Sequence, residues 1–290
     1  MQRLISISIL LVCGLLAGSG CYNLNQESCA SGDLACDPAV GLLVYLEALE
    51  NQSEKYRDMI LDESSLVGYW RFEETSGTLA DELKSGRDGT YENGVTLALD
   101  GAIPGTNVAI GLDGVDDVVT VAHDSVFDFD ASASFTLEAW VRVESSQNDT
   151  GAGTNEIIGK GSDETSFPYS LRYNNTNGYI EFARADGTNT PSIDNGFQIT
   201  AGAFYHVAAV SDGSTMRLFL NGVEYGNDTD TTNTANGVTN NGSLTFGRRA
   251  GGDRPLTGRV DEIALYDSVL SDGSLLTHFQ FGAGLITTLP

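Results

Sequence analysis

Three histidines, four cysteines and forty Asp and Glu residues are the side chains of this 290-residue chain that could serve as nucleophiles, proton carriers or metal ligands. A serine nucleophile on a strand-to-helix turn needs a Gly-x-Ser-x-Gly elbow to present its hydroxyl, and the chain has none. His123, His206 and His278 stand singly and far from the cysteines, which argues against a zinc site built from both residue types. His206 alternates with Val207 in an apolar run and reads as a packed, hydrogen-bonded histidine. The run Asn227-Asp-Thr-Asp offers hard oxygen ligands but lacks the following Gly and the distant Glu of an EF-hand loop. Against the forty acids stand fifteen Lys and Arg, a formal net charge of −25, so the surface repels phosphate backbones and nucleic acid is excluded as a partner.

Elements must position these groups, and the first of them is a leader. Arg3, the apolar run Leu4 to Leu16 and the small residues Ala17, Gly18, Ser19 and Gly20 form a secretory signal, the run falling short of the ~20 apolar residues that span a bilayer. Cys21 comes next. With it the segment resembles a bacterial lipoprotein signal, in which the cysteine thiol is diacylated and cleavage falls just before it, although Gly18 stands where that family usually has Leu. The resemblance implies a signal over residues 1–20, a lipid on Cys21 that ties the chain to a membrane, and a place in the cell envelope, at the outer membrane or cell surface; a plain secreted form is the alternative. Cys13 lies inside the apolar run, and Cys29 and Cys36 read as a local disulfide of an oxidising compartment.

Residues 21–65 have a composition of their own. Val40-Gly-Leu-Leu-Val-Tyr-Leu-Glu-Ala-Leu-Glu, followed by the charged stretch Asn51 to Glu63, predicts one short helix with an apolar face at Leu42, Leu46 and Leu49. It is either a partner-binding element or a spacer docked on the domain, and the need to bury a lone apolar stripe favours the spacer. From Leu66 onward short alternating runs are broken by turn residues. Phe135, Leu137, Ala139, Val141 and Val143 share one face of a half-buried strand, and Thr136, Glu138, Trp140 and Arg142 share the other. Tyr205–Val210 and Met216–Leu220 flank Ser211-Asp-Gly-Ser, and Asn221-Gly222 opens a further turn, both of hairpin type. Strands are also expected at 67–72, 106–111, 117–121, 155–160, 168–173, 179–183, 243–247 and 258–266, with no intervening helix. The prediction is an all-β, two-sheet antiparallel sandwich.

The same residues carry a family resemblance. Gly68-Tyr-Trp-Arg-Phe-Glu-Glu, Gly111-Leu-Asp-Gly-Val-Asp-Asp-Val-Val, Phe135-Thr-Leu-Glu-Ala-Trp-Val, His206-Val-Ala-Ala-Val, Leu218-Phe-Leu-Asn-Gly and Gly258-Arg-Val-Asp-Glu-Ile-Ala-Leu-Tyr occur in the order of the laminin-G-like, concanavalin-A-like jelly rolls. The match covers residues 66–282 and leaves 283–290 as a tail. It implies a jelly-roll recognition module more often than an enzyme. Glucanases of this fold place three carboxylates at alternate positions of one strand; here Glu262 is followed by Ala264 and Tyr266, so the pattern fails at two of three positions.

The resemblance also implies where calcium would sit: Asp81 near the Ser85-Gly86 turn, Asp261 on the last strand, and Asp88 as a further ligand, joining the first loop to the final strand. The structural alternative is that Asp81 caps a turn and Asp261 is hydrogen-bonded near a sheet edge. Trp140 could stack on a sugar or be covered by another element with Trp70 beside it; Tyr169, Tyr173 and Tyr179, near the Asn174-Asn-Thr-Asn-Gly turn, are the candidate ligand contacts at the rim. The expected function is recognition of a glycan or an extracellular or host protein, without catalysis. A glycan-active hydrolase and a structural envelope protein are the alternatives.

Overall fold

A computed structural model describes residues 51–130, 132–147, 153–161, 165–225 and 240–286. Within them the chain forms helix α1 (Gln52–Leu61), sixteen strands numbered in chain order, and helix α2 (Asp272–Gly282). The strands pair antiparallel in two sheets. In the first the order is β14 (Val223–Tyr225), β13 (Met216–Leu220), β12 (Phe204–Asp212), β7 (Ser134–Val143), β16 (Thr257–Tyr266), β5 (Val108–Asp113) and β4 (Thr96–Asp100), with β1 (Leu66–Trp70) beside the C-terminal half of β16. The second runs β11 (Ser192–Asp194), β10 (Tyr179–Asp186), β9 (Ser166–Asn174), β8 (Thr154–Lys160), β15 (Leu244–Phe246), β6 (Val118–Val121), β3 (Gly89–Glu92) and β2 (Leu79–Ala80). The expected all-β jelly-roll sandwich is the fold found.

Alternation explains the core. Phe135, Leu137, Ala139, Val141 and Val143 of β7 meet Tyr169 and Leu171 of β9, Phe182 of β10 and Phe246 of β15 in one apolar cluster between the sheets. Trp70 belongs to it, with its ring 5.0 Å from that of Phe246 and 5.8 Å from that of Phe127, and so does not lie beside Trp140. Asn221 and Gly222, with φ of 51° and 72°, close the β13–β14 hairpin as the Asn-Gly pair predicts. A Cβ at Gly222 would also fall 2.8 Å from Cα of Leu276 on α2, so this turn needs glycine for space as well as for conformation.

The strand β7 is not half-buried as its pattern suggests. Its second face is sealed, because α1 and α2 lie on it: Tyr56 and Ile60 of α1 and Leu275 and Phe281 of α2 form a second cluster with Trp140, Ala208, Phe219, Ala264 and Tyr266. Trp140 donates its indole N–H to Tyr56 at 3.1 Å and is unavailable to a sugar. A helix as short as α1 is marginal alone, since isolated helices under about 12–15 residues hardly form in water. Each apolar side chain it buries contributes roughly 1.5–3 kcal/mol, so docking through Tyr56, Met59 and Ile60 supplies the stability that its length does not. Gln52 adds a tie between the helices, donating to the Phe281 carbonyl at 2.6 Å.

The helix is thus docked, as the spacer reading expects, but it occupies the charged stretch after Asn51; the Leu42–Leu49 stripe lies outside the described residues. The compact unit starts at Gln52 rather than at Leu66, and Ala283 and Ile286, expected in a free tail, pack against the second cluster. Helix α2 goes unanticipated because Gly273, Ser274 and Thr277 dilute its helical pattern; Ser271 caps it, accepting from Ser274 N. Cys21, Cys29 and Cys36 also lie outside the described residues. No described helix is long and apolar enough to cross a membrane.

Candidate functional site

Arg71 bridges Glu73 and Glu262, and two further groups of charged side chains flank the sandwich, one on each sheet. The first is closed off beneath the helices. Glu138, fully buried on β7, receives His206 Nε2 at 2.5 Å, His278 Nδ1 at 3.0 Å and the Tyr266 hydroxyl at 2.7 Å. Burial alone would push this carboxyl up, but the facing His278 and His206 hold it well below the usual carboxylate range. Burial would lower His278, and Glu138, with Glu63 behind it, instead pushes it up to about 9. His206 is the packed, hydrogen-bonded histidine its sequence context suggests. With Glu138, His206 and His278 all buried, the group joins helix to sheet and presents nothing to a substrate.

The second group lies on the face of the second sheet turned away from the core. Strand register builds it: Glu156 of β8 stands opposite Arg172 of β9, Arg172 opposite Glu181 of β10, and Ser170 between Gly159 and Ala183. The segment joining β15 to β16 folds over these residues and is tied down by its backbone, Glu156 N donating to the Arg254 carbonyl at 2.8 Å and Asn155 Nδ2 to the Pro255 carbonyl at 2.5 Å. It brings in Arg249, paired to Asp253 through two bonds of 2.8 Å, and Arg254, held at a positive φ of 57°. Glu156, Gly159, Lys160, Gly161, Phe167, Tyr169, Ser170, Arg249 and Arg254 line a narrow hollow without room for a water molecule. Gly159 makes room for it, since a Cβ there would come within 2.5 Å of Glu156 Oε1.

The polar groups in and around this hollow are buried. Among the described residues, both carboxylate oxygens of Glu156, Ser170 Oγ, Arg172 Nε, and Nε and Nη1 of Arg254 have no hydrogen-bond partner. These groups answer one another instead: the Ser170 hydroxyl lies beside the Glu156 carboxylate, and Arg172, Arg254 and Arg249 offset its charge. Burial pushes the Glu156 carboxyl up, opposed by the Ser170 hydroxyl beside it and by Arg172, Arg254 and Arg249. Burial lowers Arg254, which Glu156 opposes, while Arg172 and Arg249 add to the lowering.

The residues singled out from the sequence fall elsewhere or play other parts. Tyr169 is fully buried and stacks at 5.6 Å from both Phe129 and Phe135, so it belongs to the core and the floor of the hollow and cannot be a rim contact. Tyr173 is buried in the same core. Their strand alternates, and odd positions face inward; Tyr179 alone keeps partial exposure. Asp81 is exposed, Asp88 accepts from Glu82 N at 3.0 Å, and Asp261 is fully buried, one oxygen accepting from Ala102 N at 2.8 Å. These three carboxylates are not gathered within ligand distance of one another; among the described residues the acidic trio that is lies at Asp113, Asp116 and Asp117. Asp261 by itself suits a hard cation, because its Oδ1 is buried with no partner among the described residues. Burial first, then neighbouring Glu262, pushes it well above the carboxylate range.

Glu82 is the residue that the sequence does not reveal. It gathers the amides of Tyr69, Lys84, Ser85 and Arg87 and the Ser85 hydroxyl, and despite its burial these bonds hold it below its ordinary value. These five donors make Glu82 the organiser of the 82–87 loop. No signal short of the folded loop distinguishes it from neighbouring Asp81.

Comparison with known proteins follows the same outline. The binding domain of Paraclostridial Mosquitocidal Protein 1 superposes with a TM-score of 0.60 at 17% identity, over 76% of this chain and 55% of that one. Domain 4 of AbnA, an extracellular GH43 arabinanase from Geobacillus stearothermophilus solved with arabinotriose, gives 0.53 at 20% identity over 74% of this chain and 98% of that domain. Trypanosoma rangeli sialidase gives 0.56 at 14% identity, over 86% of this chain and 39% of the sialidase. The chain therefore spans about half of the first protein and less of the third, and at these identities the likeness is one of fold. No curated protein is similar enough in sequence to count as a match. A family profile described as Laminin_G_3, concanavalin A-like lectin/glucanases superfamily, matches residues 113–275. That stretch is more than half of the chain and runs from the end of β5 into α2, so the chain belongs to this concanavalin A-like lectin/glucanase family.

Proposed function

We propose that the chain is a tethered glycan-recognition module. The observation that carries this reading is membership of the concanavalin A-like lectin/glucanase family over residues 113–275. Recognition is favoured over hydrolysis because the alternating carboxylates of the fold's glucanases are interrupted on β16, where Ala264 and Tyr266 follow Glu262. The AbnA domain, solved with arabinotriose, lends the fold a precedent for sugar contact.

The lipid at Cys21 and a structural calcium at Asp261 are parts of the same proposal, the latter supported by the unpartnered Asp261 Oδ1. The test is an immobilised-glycan array read in millimolar calcium and again in chelator, with reducing-end release assayed on every glycan bound. Binding of a defined set without turnover, weakened with a lower melting temperature in chelator, is expected. Turnover would make the chain a hydrolase; capture of an extracellular protein with silence on every glycan would overturn the glycan reading. A melting temperature indifferent to chelator would remove calcium.

A further inference from the structure

We infer that Asp113, Asp116 and Asp117, on the crossing from β5 to β6, form a calcium site distinct from Asp261. Each offers a carboxylate oxygen, and the three oxygens lie within 4.8 Å of one another. Oxygens at the usual ~2.3–2.6 Å from one calcium ion stand at most about 5 Å apart, so a single ion can reach all three. The crossing carries the chain from the first sheet to the second, and the turn between β3 and β4 passes the other way. Asn93 of that turn donates from Nδ2 to the Asp116 carbonyl at 2.9 Å. An ion held here would pin the rim where the two sheets join.

An acidic turn is commonly no more than a solvated one, and the burial of one member sets this one apart. Asp117 is 3% exposed, and its Oδ1 has no hydrogen-bond partner among the described residues. Its Oδ2 accepts from Asp113 N at 2.9 Å, and Asp113 Oδ1 accepts from Val115 N at 2.8 Å. Those bonds shape the turn but bring no cation to it. Arg248 reaches the crossing, yet it donates to the carbonyls of Asp116 and Gly252, at 3.1 and 2.8 Å, and pairs with none of the three carboxylates. Burial raises the Asp117 carboxyl, the bond from Asp113 N opposes this, and the charges of Asp113 and Asp116 raise it further. A divalent ion between the three replaces their repulsion with attraction.

The donors select the ion. All are hard oxygens, with no His or Cys in the group, which favours a hard cation over zinc or copper. Magnesium demands a tight octahedron and is usually held by one or two carboxylates, whereas calcium accepts irregular sets of about 6–8 oxygens. Asp113 and Asp116 are exposed, so water can complete the shell from outside.

Calorimetric titration of calcium chloride into the full chain, stripped with chelator, tests the site. A dissociation constant of about 10⁻⁴–10⁻³ M, the range of extracellular calcium modules, is expected. Asp113→Asn and Asp116→Asn should each weaken it at least tenfold, while Asp261→Asn leaves it in place. Both exposed-site variants should melt in chelator no lower than wild type, since each removes a repelling charge, and magnesium chloride should bind at least tenfold more weakly. Binding unchanged in both variants would overturn the site, and binding lost in Asp261→Asn alone would assign calcium to that residue. Neither heat nor a rise in melting temperature with calcium would overturn both sites, the glycan reading being judged separately on the array. Magnesium as tight as calcium would overturn the choice of ion.

Discussion

At the scale of the single residue, Glu138 shows how a buried charge is kept. Both of its oxygens are engaged, by two histidines and a tyrosine, so the cost of burying the carboxylate is met by neighbours from β12, β16 and α2 at once. Two proton equilibria follow with opposite signs. Glu138 is held below its ordinary 4.5, so its contribution to stability is present above that pH and is lost as pH falls toward the depressed value. His278 is raised from 6.5 to about 9, so its contribution is full below 6.5 and is lost as pH rises through 9. The pair therefore stabilises the fold most between 4.5 and 6.5. Urea midpoints of the wild-type chain should decline from pH 6.5 to 9, and His278→Gln should flatten that decline; parallel curves for the two proteins would show that His278 is not the group titrating. Glu138→Gln should cost roughly 3–5 kcal/mol, the usual penalty for removing one partner of a buried ion pair.

At the scale of the element, α1 and α2 convert an exposed sheet into a buried one. Strand β7 reads as half-buried because alternation records only which side chains share a face, and Phe135 to Val143 do share the core. It does not record that Trp140 and Glu138 lie beneath helices from the opposite ends of the domain. A chain begun at Gln52 should melt as one that also carries residues 1–51, whereas a chain begun at Leu66 loses Tyr56, Met59 and Ile60 from the second cluster. At about 1.5–3 kcal/mol for each of these side chains, that loss is a large share of a stability of ~5–15 kcal/mol. Differential scanning calorimetry of the two truncations checks it: equal melting temperatures would mean that α1 rests on the sheet without supporting it.

At the scale of the whole molecule, the chain divides at Gln52, where the unit that contains the sandwich begins. On the proposal of a lipid at Cys21, Cys21→Ser should release the protein from membranes into the soluble fraction while the sandwich melts unchanged; retention of that variant with normal processing would refute the anchor. Several features of the molecule were legible in the residues alone. The −25 charge, the Asn-Gly and Asp-Gly turns and the period-two runs determined an acidic, antiparallel sandwich, because charge and alternation are local properties that need no knowledge of what packs where. His206 was legible for the same reason, being a lone polar residue in an apolar run. The ligand contacts and the second charged group were not. Tyr169 and Tyr173 looked like rim residues from the polar turn after them, but their strand's phase turns them into the core. Glu156, Ser170, Arg172 and Arg254 come together only through the register of β8 on β9 and the fold of the β15–β16 segment over both. Arg254 is far from Glu156 in sequence, yet its carbonyl accepts from Glu156 N in space. The sequence by itself determined which side chains alternate and where the chain turns; only the tertiary structure decided which of two sheets is capped by helices and which gathers arginines around a buried carboxylate, because that choice depends on contacts between residues far apart in the chain.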